Sequence, residues 1–170
     1  MYKDKPAAPP LPARAKARLC IKGYNEDVRY LETFAPVVRF ETVRAALAEA
    51  AHSDLELWGA DVQNAYILAP LQPNQEVYMN DPEDPKGKTV LRLRRSLYGL
   101  KSSARNWSNH LHDWLISVGF QRSLEDYGMY TRGTGADRLV LLIFVDDLLT
   151  ISSAAALEKF QKADRQKQRW

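Results

Sequence analysis

Residues 139–151 read Leu-Val-Leu-Leu-Ile-Phe-Val-Asp-Asp-Leu-Leu-Thr-Ile. Leu139 to Val145 is an unbroken apolar run, far shorter than a membrane span, which takes about 20 residues. Bounded by polar sequence, it reads as a buried strand. Leu148 to Ile151 reads as a second strand, with Asp146 and Asp147 at the tight turn between them. Turn chemistry accounts for one aspartate. Two adjacent like charges repel, and an uncompensated buried charge costs several kcal/mol, roughly. Two readings follow. Either the pair is a solvated turn, or it is gathered for a hard divalent cation, since Mg²⁺ takes carboxylate oxygens.

A further carboxylate favours the second reading. Residues 55–66 read Leu-Glu-Leu-Trp-Gly-Ala-Asp-Val-Gln-Asn-Ala-Tyr. The alternation of Leu55 and Leu57 with Glu56 and Trp58 predicts a strand ending near Asp61. A strand-end aspartate and a hairpin pair, distant in sequence, suit a two-metal phosphoryl-transfer site. Carboxylates from the two elements can bridge cations about 3.5–4 Å apart.

Four segments stand in order, the third overlapping the stretch just read: Lys16-Ala-Arg-Leu-Cys-Ile-Lys-Gly23, Glu32-Thr-Phe-Ala-Pro-Val-Val-Arg-Phe40, Ala60-Asp-Val-Gln-Asn-Ala-Tyr66 and Ser96-Leu-Tyr-Gly-Leu-Lys-Ser-Ser-Ala-Arg-Asn-Trp107. With Phe144-Val-Asp-Asp147 they resemble the reverse transcriptase of copia-type LTR retrotransposons, over roughly residues 16–152. The resemblance implies an α+β fold: a mixed or antiparallel palm sheet backed by helices, with a partial fingers subdomain and no thumb. Proline-rich residues 1–13 read as a disordered lead-in; the resemblance makes 14–153 a fingers/palm fragment of a Pol polyprotein and 154–170 a truncated helical tail. It implies RNA-directed DNA polymerisation on an RNA or DNA template with a primer, using deoxynucleoside triphosphates. It implies two Mg²⁺ ions as the cofactor, with Mn²⁺ able to stand in. Asp61 and Asp146 would bridge the metals, with Asp147 as an auxiliary ligand. Lys16 and Arg18 match the finger cations that hold the triphosphate. Tyr66 matches the aromatic that excludes a 2′-hydroxyl, and Tyr98 and Gly99 match the platform that touches the nucleotide. The chain departs from the family at Ala69-Pro70, where glycine is common, and at Ala104, where proline is usual. Two rival readings are a non-catalytic retroelement remnant that at most binds nucleic acid, and a metal-dependent nuclease. A chain of this extent is expected to extend primers poorly by itself, because the family grips the primer with later segments.

The remaining sequence fits a polyanionic substrate. The 170 residues allow one domain with a real core. The net charge is only +3. Its distribution is uneven, with Arg14, Lys16, Arg18 and Lys22 in one acid-free run and Lys86, Lys88, Arg92, Arg94, Arg95 and Lys101 in another. The single cysteine, Cys20, excludes an internal disulfide and a cysteine zinc cluster and fits an intracellular setting (a cytoplasmic particle or the nucleus). No signal-peptide pattern or membrane span is predicted. His52, His110 and His112 are scattered and lack metal-ligand spacing.

Local patterns predict the other elements. Arg14 to Ile21 reads as a basic strand and 24–31 as a polar loop. Val43, Ala46, Leu47 and Ala50 predict a helix starting near Glu41 or Thr42, packed beneath the strand that carries Asp61. Residues 75–79 and 89–93 read as strands around a Pro/Asp/Gly turn. Ala104, Trp107, Leu111, Trp114 and Leu115 share one helical face, read as core, ending before Gly119. Residues 126–130 read as a short strand, and a helix begins at Ala154.

Overall fold

A computed structural model describes residues 2–5, 14–84 and 86–167. In chain order the elements are β1 (Tyr2–Lys5), β2 (Arg14–Ala17), α1 (Phe40–His52), β3 (Glu56–Asp61), α2 (Ala65–Leu68), β4 (Tyr78–Asn80), β5 (Val90–Arg92), α3 (Ser103–Ser117), β6 (Gln121–Arg122), β7 (Met129–Arg132), β8 (Leu139–Phe144), β9 (Asp147–Ser152) and α4 (Ala154–Lys167). The main sheet has five strands in the order β3-β9-β8-β7-β6, and every pairing in it is antiparallel. β1 with β2 and β4 with β5 form two small separate ribbons.

The apolar run at 139–145 is continuous because β8 is covered on both faces. Side chains alternate across a strand. Leu139, Leu141 and Ile143 meet Trp107, Leu111 and Leu115 of α3, together with Phe120, Tyr130 and Ala156. Leu142 turns to the other face, where Ala50 of α1, Val38 and Ile151 close a second cluster, with Val43, Ala46 and Leu55 against it. Full burial of a leucine such as Leu142 stabilises by about 1.5–3 kcal/mol. The fold is thus α+β, with a wholly antiparallel main sheet and helices on both faces.

Several elements differ from their sequence reading. Tyr2–Lys5, read as disordered lead-in, pairs as β1 with β2, from Tyr2↔Ala17 to Lys5↔Arg14; residues 6–13 lie outside the described residues. Once β2 offers a free edge, an extended segment can satisfy its backbone groups there. The basic strand stops at Ala17, and β4 and β5 are shorter than read. α1 packs on the central strands through Leu142, Leu149 and Ile151, and its Val43 shares a cleft with Gly59 and Asp61 of β3. β7 begins only at Met129 because Asp126 is committed elsewhere. Its carboxylate accepts hydrogen bonds from the Arg39 N–H (2.9 Å), the Thr42 hydroxyl (2.6 Å) and the Gly128 N–H (2.9 Å). Asp126 thereby caps the N-terminus of α1, whose own N-cap residue Arg39 supplies no side-chain cap. No helix among the described residues is long and apolar enough to cross a membrane.

Asp126 is 5 % exposed. Burial pushes its carboxyl up, but the bonds from Thr42, Arg39 and Gly128 together outweigh that and hold it below the ordinary carboxylate value. A depressed native pKa contributes stability above the unfolded value and loses it as pH falls through the native one. Asp126→Asn should therefore destabilise the neutral protein by about 1–3 kcal/mol. In urea titrations at stepped pH, the gap between parent and variant should stay constant above the carboxylate range and narrow on acidification.

Candidate functional site

The hairpin β8–β9 turns on two residues, Val145 and Asp146, and Asp147 is already in β9 opposite Phe144. The reading that placed both aspartates in the turn is one residue out. Val145 has φ of 62°, and Asp146 is not among the residues with positive φ. Positive φ at the first central residue alone is the pattern of a type II′ turn, in which glycine is preferred there. A β-branched residue in that region costs about 1–3 kcal/mol. Two long-range hydrogen bonds hold the turn. The Trp107 indole N–H donates to the Val145 carbonyl at 2.7 Å, and the Val62 N–H donates to the Asp146 carbonyl at 3.0 Å.

The ladder from Glu56↔Ser152 to Asp61↔Asp147 brings the strand-end aspartate to the hairpin. Directly opposed residues of an antiparallel pair point to the same face. Asp61 therefore stands across from Asp147, and both are exposed along the cleft that contains Val43, Gly59 and Phe144. The resemblance has Asp61 and Asp146 bridging the metals with Asp147 as an auxiliary ligand; in the ladder it is Asp147 that stands directly opposite Asp61. Asp146 is half-buried and lies near enough to Tyr66 for its charge to act on the phenol.

Tyr66 sits on the single turn α2, entered through Asn64 in the left-handed region at φ 58°. Asparagine tolerates that conformation better than most residues. The Tyr66 and Tyr98 rings lie 5.1 Å apart between centroids, tilted by 55°. The Arg18 guanidinium stands over the Tyr98 ring at 4.5 Å, a cation–π geometry. A row thus runs from Arg18 through Tyr98 and Tyr66 to Asp146. Burial raises the Tyr66 phenol pKa first, then the Asp146 charge and Tyr98, with Arg18 opposing. Lys16 belongs to β2 by its backbone, and its side chain lies outside the described residues.

Gly99 has φ of 96°, and a Cβ there would run into the Ile21 carbonyl; a Cβ at Gly23 would run into the Gly99 carbonyl. Only glycine lets these backbones meet. The Ile21 N–H donates to the Tyr98 carbonyl at 2.8 Å, fixing the loop that carries Arg18 against the platform. A polar network unread in the sequence reinforces this contact. Glu26 accepts from the Lys101 N–H (2.6 Å), the Ser102 hydroxyl (2.7 Å) and the Gln75 amide (2.8 Å). Asn106 in turn donates to Ser96 and Gln75. Its only sequence signal was polar residues beside apolar ones, which spacing rules do not weigh.

The donor chemistry at the strand ends is all oxygen, which suits Mg²⁺ or Mn²⁺. No group of three or more His, Cys, Asp or Glu among the described residues is arranged to hold a metal ion. Mg²⁺ does not require such a cage, because it usually takes one or two carboxylates, waters and substrate phosphates. Asp61, Asp146 and Asp147 fit that more open demand.

Residues 1–168 match the family model described as reverse transcriptase (RNA-dependent DNA polymerase). The chain is 35% identical over 152 residues to a retrovirus-related Pol polyprotein from transposon RE2 of Arabidopsis thaliana, covering 86% of this chain and 10% of that protein. It is 34% identical over 142 residues to the corresponding polyprotein from transposon RE1 of the same plant, covering 80% and 10%. Against the polyprotein from transposon TNT 1-94 of Nicotiana tabacum the identity is 33% over 161 residues, covering 91% and 12%. The chain thus spans about a tenth of the length of these relatives. No solved structure matches it at a significant level.

The charge contact between Asp146 and Tyr66 is open to direct titration. In the parent, the phenolate absorbance assigned to Tyr66 by difference from Tyr66→Phe should develop above the ordinary tyrosine range. Asp146→Asn should bring that ionisation down toward the ordinary value without reaching it, because burial is the larger cause.

Proposed function

The chain belongs to the reverse transcriptase (RNA-dependent DNA polymerase) family of copia-type retrotransposons, and we propose that it carries the nucleotidyl-transfer site of such a polymerase. One observation carries the reading. The β3–β9 register brings Asp61 and the Asp146–Asp147 hairpin to one end of the sheet, beside the row of Tyr66, Tyr98 and Arg18. On this reading the five-stranded sheet with α1 and α3 is the palm. The loop from Arg18 to Leu31 and the β4–β5 ribbon belong to the fingers, so that residues 14–153 act as a fingers–palm unit.

The substrates are a primer on an RNA or DNA template and a deoxynucleoside triphosphate. Asp61 and Asp146 would hold two Mg²⁺ ions, with Asp147 beside Asp61 as a further oxygen donor. Bound there, the metal supplies a lowered pKa at the primer 3′-hydroxyl and neutralises charge on the triphosphate. The protein's own contribution is positioning. Arg18, with Lys16 on the same segment, meets the anionic phosphates. The exposed Gly99 backbone permits close approach of the nucleotide. Tyr66 presents a flat ring at the sugar, leaving no volume for a 2′-oxygen. Misplacement of the reacting groups by about 1 Å can cost ~10²-fold, which is why the glycine-mediated contact between the Arg18 loop and the platform matters.

Primer extension on an RNA template tests the reading, with the chain put in place of the matching segment of a full-length relative, so that the later segments that grip the primer are present. Template-directed incorporation should require Mg²⁺ or Mn²⁺ and should fall by at least ~10²-fold in Asp61→Asn and in Asp146→Asn. Incorporation that survives both substitutions would refute the site. Nucleolytic release of nucleotides with no extension would instead identify a nuclease.

Sugar selection gives a second outcome. Tyr66→Val opens space at the 2′ position, so ribonucleotide incorporation should rise relative to deoxyribonucleotide incorporation in the same assay. An unchanged ratio would remove Tyr66 from the sugar site.

A further inference from the structure

Trp107 on α3 lies beneath the β8–β9 turn, 1 % exposed, with its indole N–H on the Val145 carbonyl at 2.7 Å. Its burial is explained by the core it fills with Leu111 and Leu115. Its polar atom is not explained by packing, because a phenylalanine would fill much of the same space. The chosen acceptor is informative. Val145 and Asp146 are the two central residues of the turn, so the Val145 carbonyl belongs to the turn's central peptide. Rotating that peptide changes ψ of the first central residue and φ of the second, which is the difference between turn types I′ and II′. The φ of Asp146 sets the direction of its Cβ. The Phe144↔Asp147 pair closes the hairpin but does not by itself choose the direction of the central peptide. The Trp107 bond does, because only one orientation presents the Val145 carbonyl to the indole.

We propose that Trp107 is a positioning residue, whose indole N–H fixes the central peptide of the Val145–Asp146 turn and thereby aims the Asp146 carboxylate. The inference rests on the polymerase reading for what that carboxylate does. It does not rest on it for how the carboxylate is held. Valine at φ 62° needs such a hold, since its branched Cβ disfavours the region that glycine enters freely. The Asp146 carbonyl, which accepts the Val62 N–H at 3.0 Å, links the turn back to the residue after Asp61. A loosened turn therefore disturbs both sources of carboxylate at once.

The test uses the full 170-residue chain and the variant Trp107→Phe, which keeps an aromatic ring and loses the N–H. Native-state hydrogen exchange at the Val62 amide reports the turn without any metal or activity. After correction for global stability, it should speed up by about tenfold, the loss of one net hydrogen bond. Leu111→Ala, which removes core volume from the same helix but leaves the N–H in place, should not speed it after the same correction. In the Val145→Gly background, removal of the N–H should have a smaller effect, because glycine holds the turn unaided. Should Trp107→Phe not fold, benzothienylalanine at position 107 keeps the ring size and replaces the N–H with sulfur. Val62 exchange that does not exceed the Leu111→Ala control overturns the proposal. Mn²⁺ binding, followed by water-proton relaxation, should weaken several-fold with loss of the N–H. An affinity unchanged while Val62 exchange speeds up would overturn the aiming role. Absence of Mn²⁺ binding in the parent would overturn the polymerase reading, with the exchange result still deciding whether Trp107 holds the turn.

Discussion

The register of β9 between β3 and β8 is the constraint on which the rest depends. Asp147 faces Asp61 on one side and Phe144 on the other, and Ser152 at the far end faces Glu56 and Leu139. A slip of one residue would exchange the two faces of the strand. Leu149 and Ile151 would leave the α1 cluster, Leu148 would leave the α3 cluster, and Asp61 would no longer face Asp147. Register is therefore fixed by apolar burial on both faces. The carboxylates inherit their placement from that core. Packing at Leu142 and Ile151 thus helps set the position of Asp61 through the ladder.

The other half of the site depends on backbone approach. Gly23 and Gly99 leave no room for a side chain between their strands of backbone, so the Arg18 loop sits directly on the platform. Glu26 then anchors the contact. A half-buried carboxylate is costly unless its lone pairs are met, and here a backbone N–H, a hydroxyl and an amide meet them. Removing one donor would leave a charge partly unsatisfied in a poorly solvated place. The cation–π contact of Arg18 with Tyr98 is weak taken singly; its geometry persists because the loop beneath it is locked.

The sequence revealed what repeats at short range. The strand end at Asp61 and the stripes of α1 and α3 follow from periods of two or 3.6 residues, and β8 from an unbroken apolar run between polar flanks. Features chosen at long range were hidden. Turn propensity points to the two aspartates, because Asp is a good turn residue. Val145 instead occupies the turn, held by an indole 38 residues away. The start of β7 shifted because Asp126 caps a helix 84 residues earlier. Gln75 and Glu26, 49 residues apart, carry no spacing signal at all. Tyr66 and Tyr98 were each assigned by resemblance, and their mutual contact became visible only in three dimensions.

One local conflict separates the demands of folding from those of function. Like charges directly opposed on paired strands destabilise a sheet, yet Asp61 and Asp147 are Cα partners at the end of β3 and β9. Both are exposed, so solvent screens part of the repulsion. Next to them the turn forces a β-branched residue to positive φ. Neither feature helps the fold, and a glycine and a neutral residue would serve the hairpin better. Natural sequences break local rules mainly where function requires it. On the proposed polymerase reading, charge placement accounts for two such violations within three consecutive residues, supported from beneath by a buried tryptophan and from the side by the Val62 N–H. A cation would relieve the repulsion between the paired aspartates. On that same reading, the strained turn would spare Asp146 the cost of being reoriented each time substrate arrives.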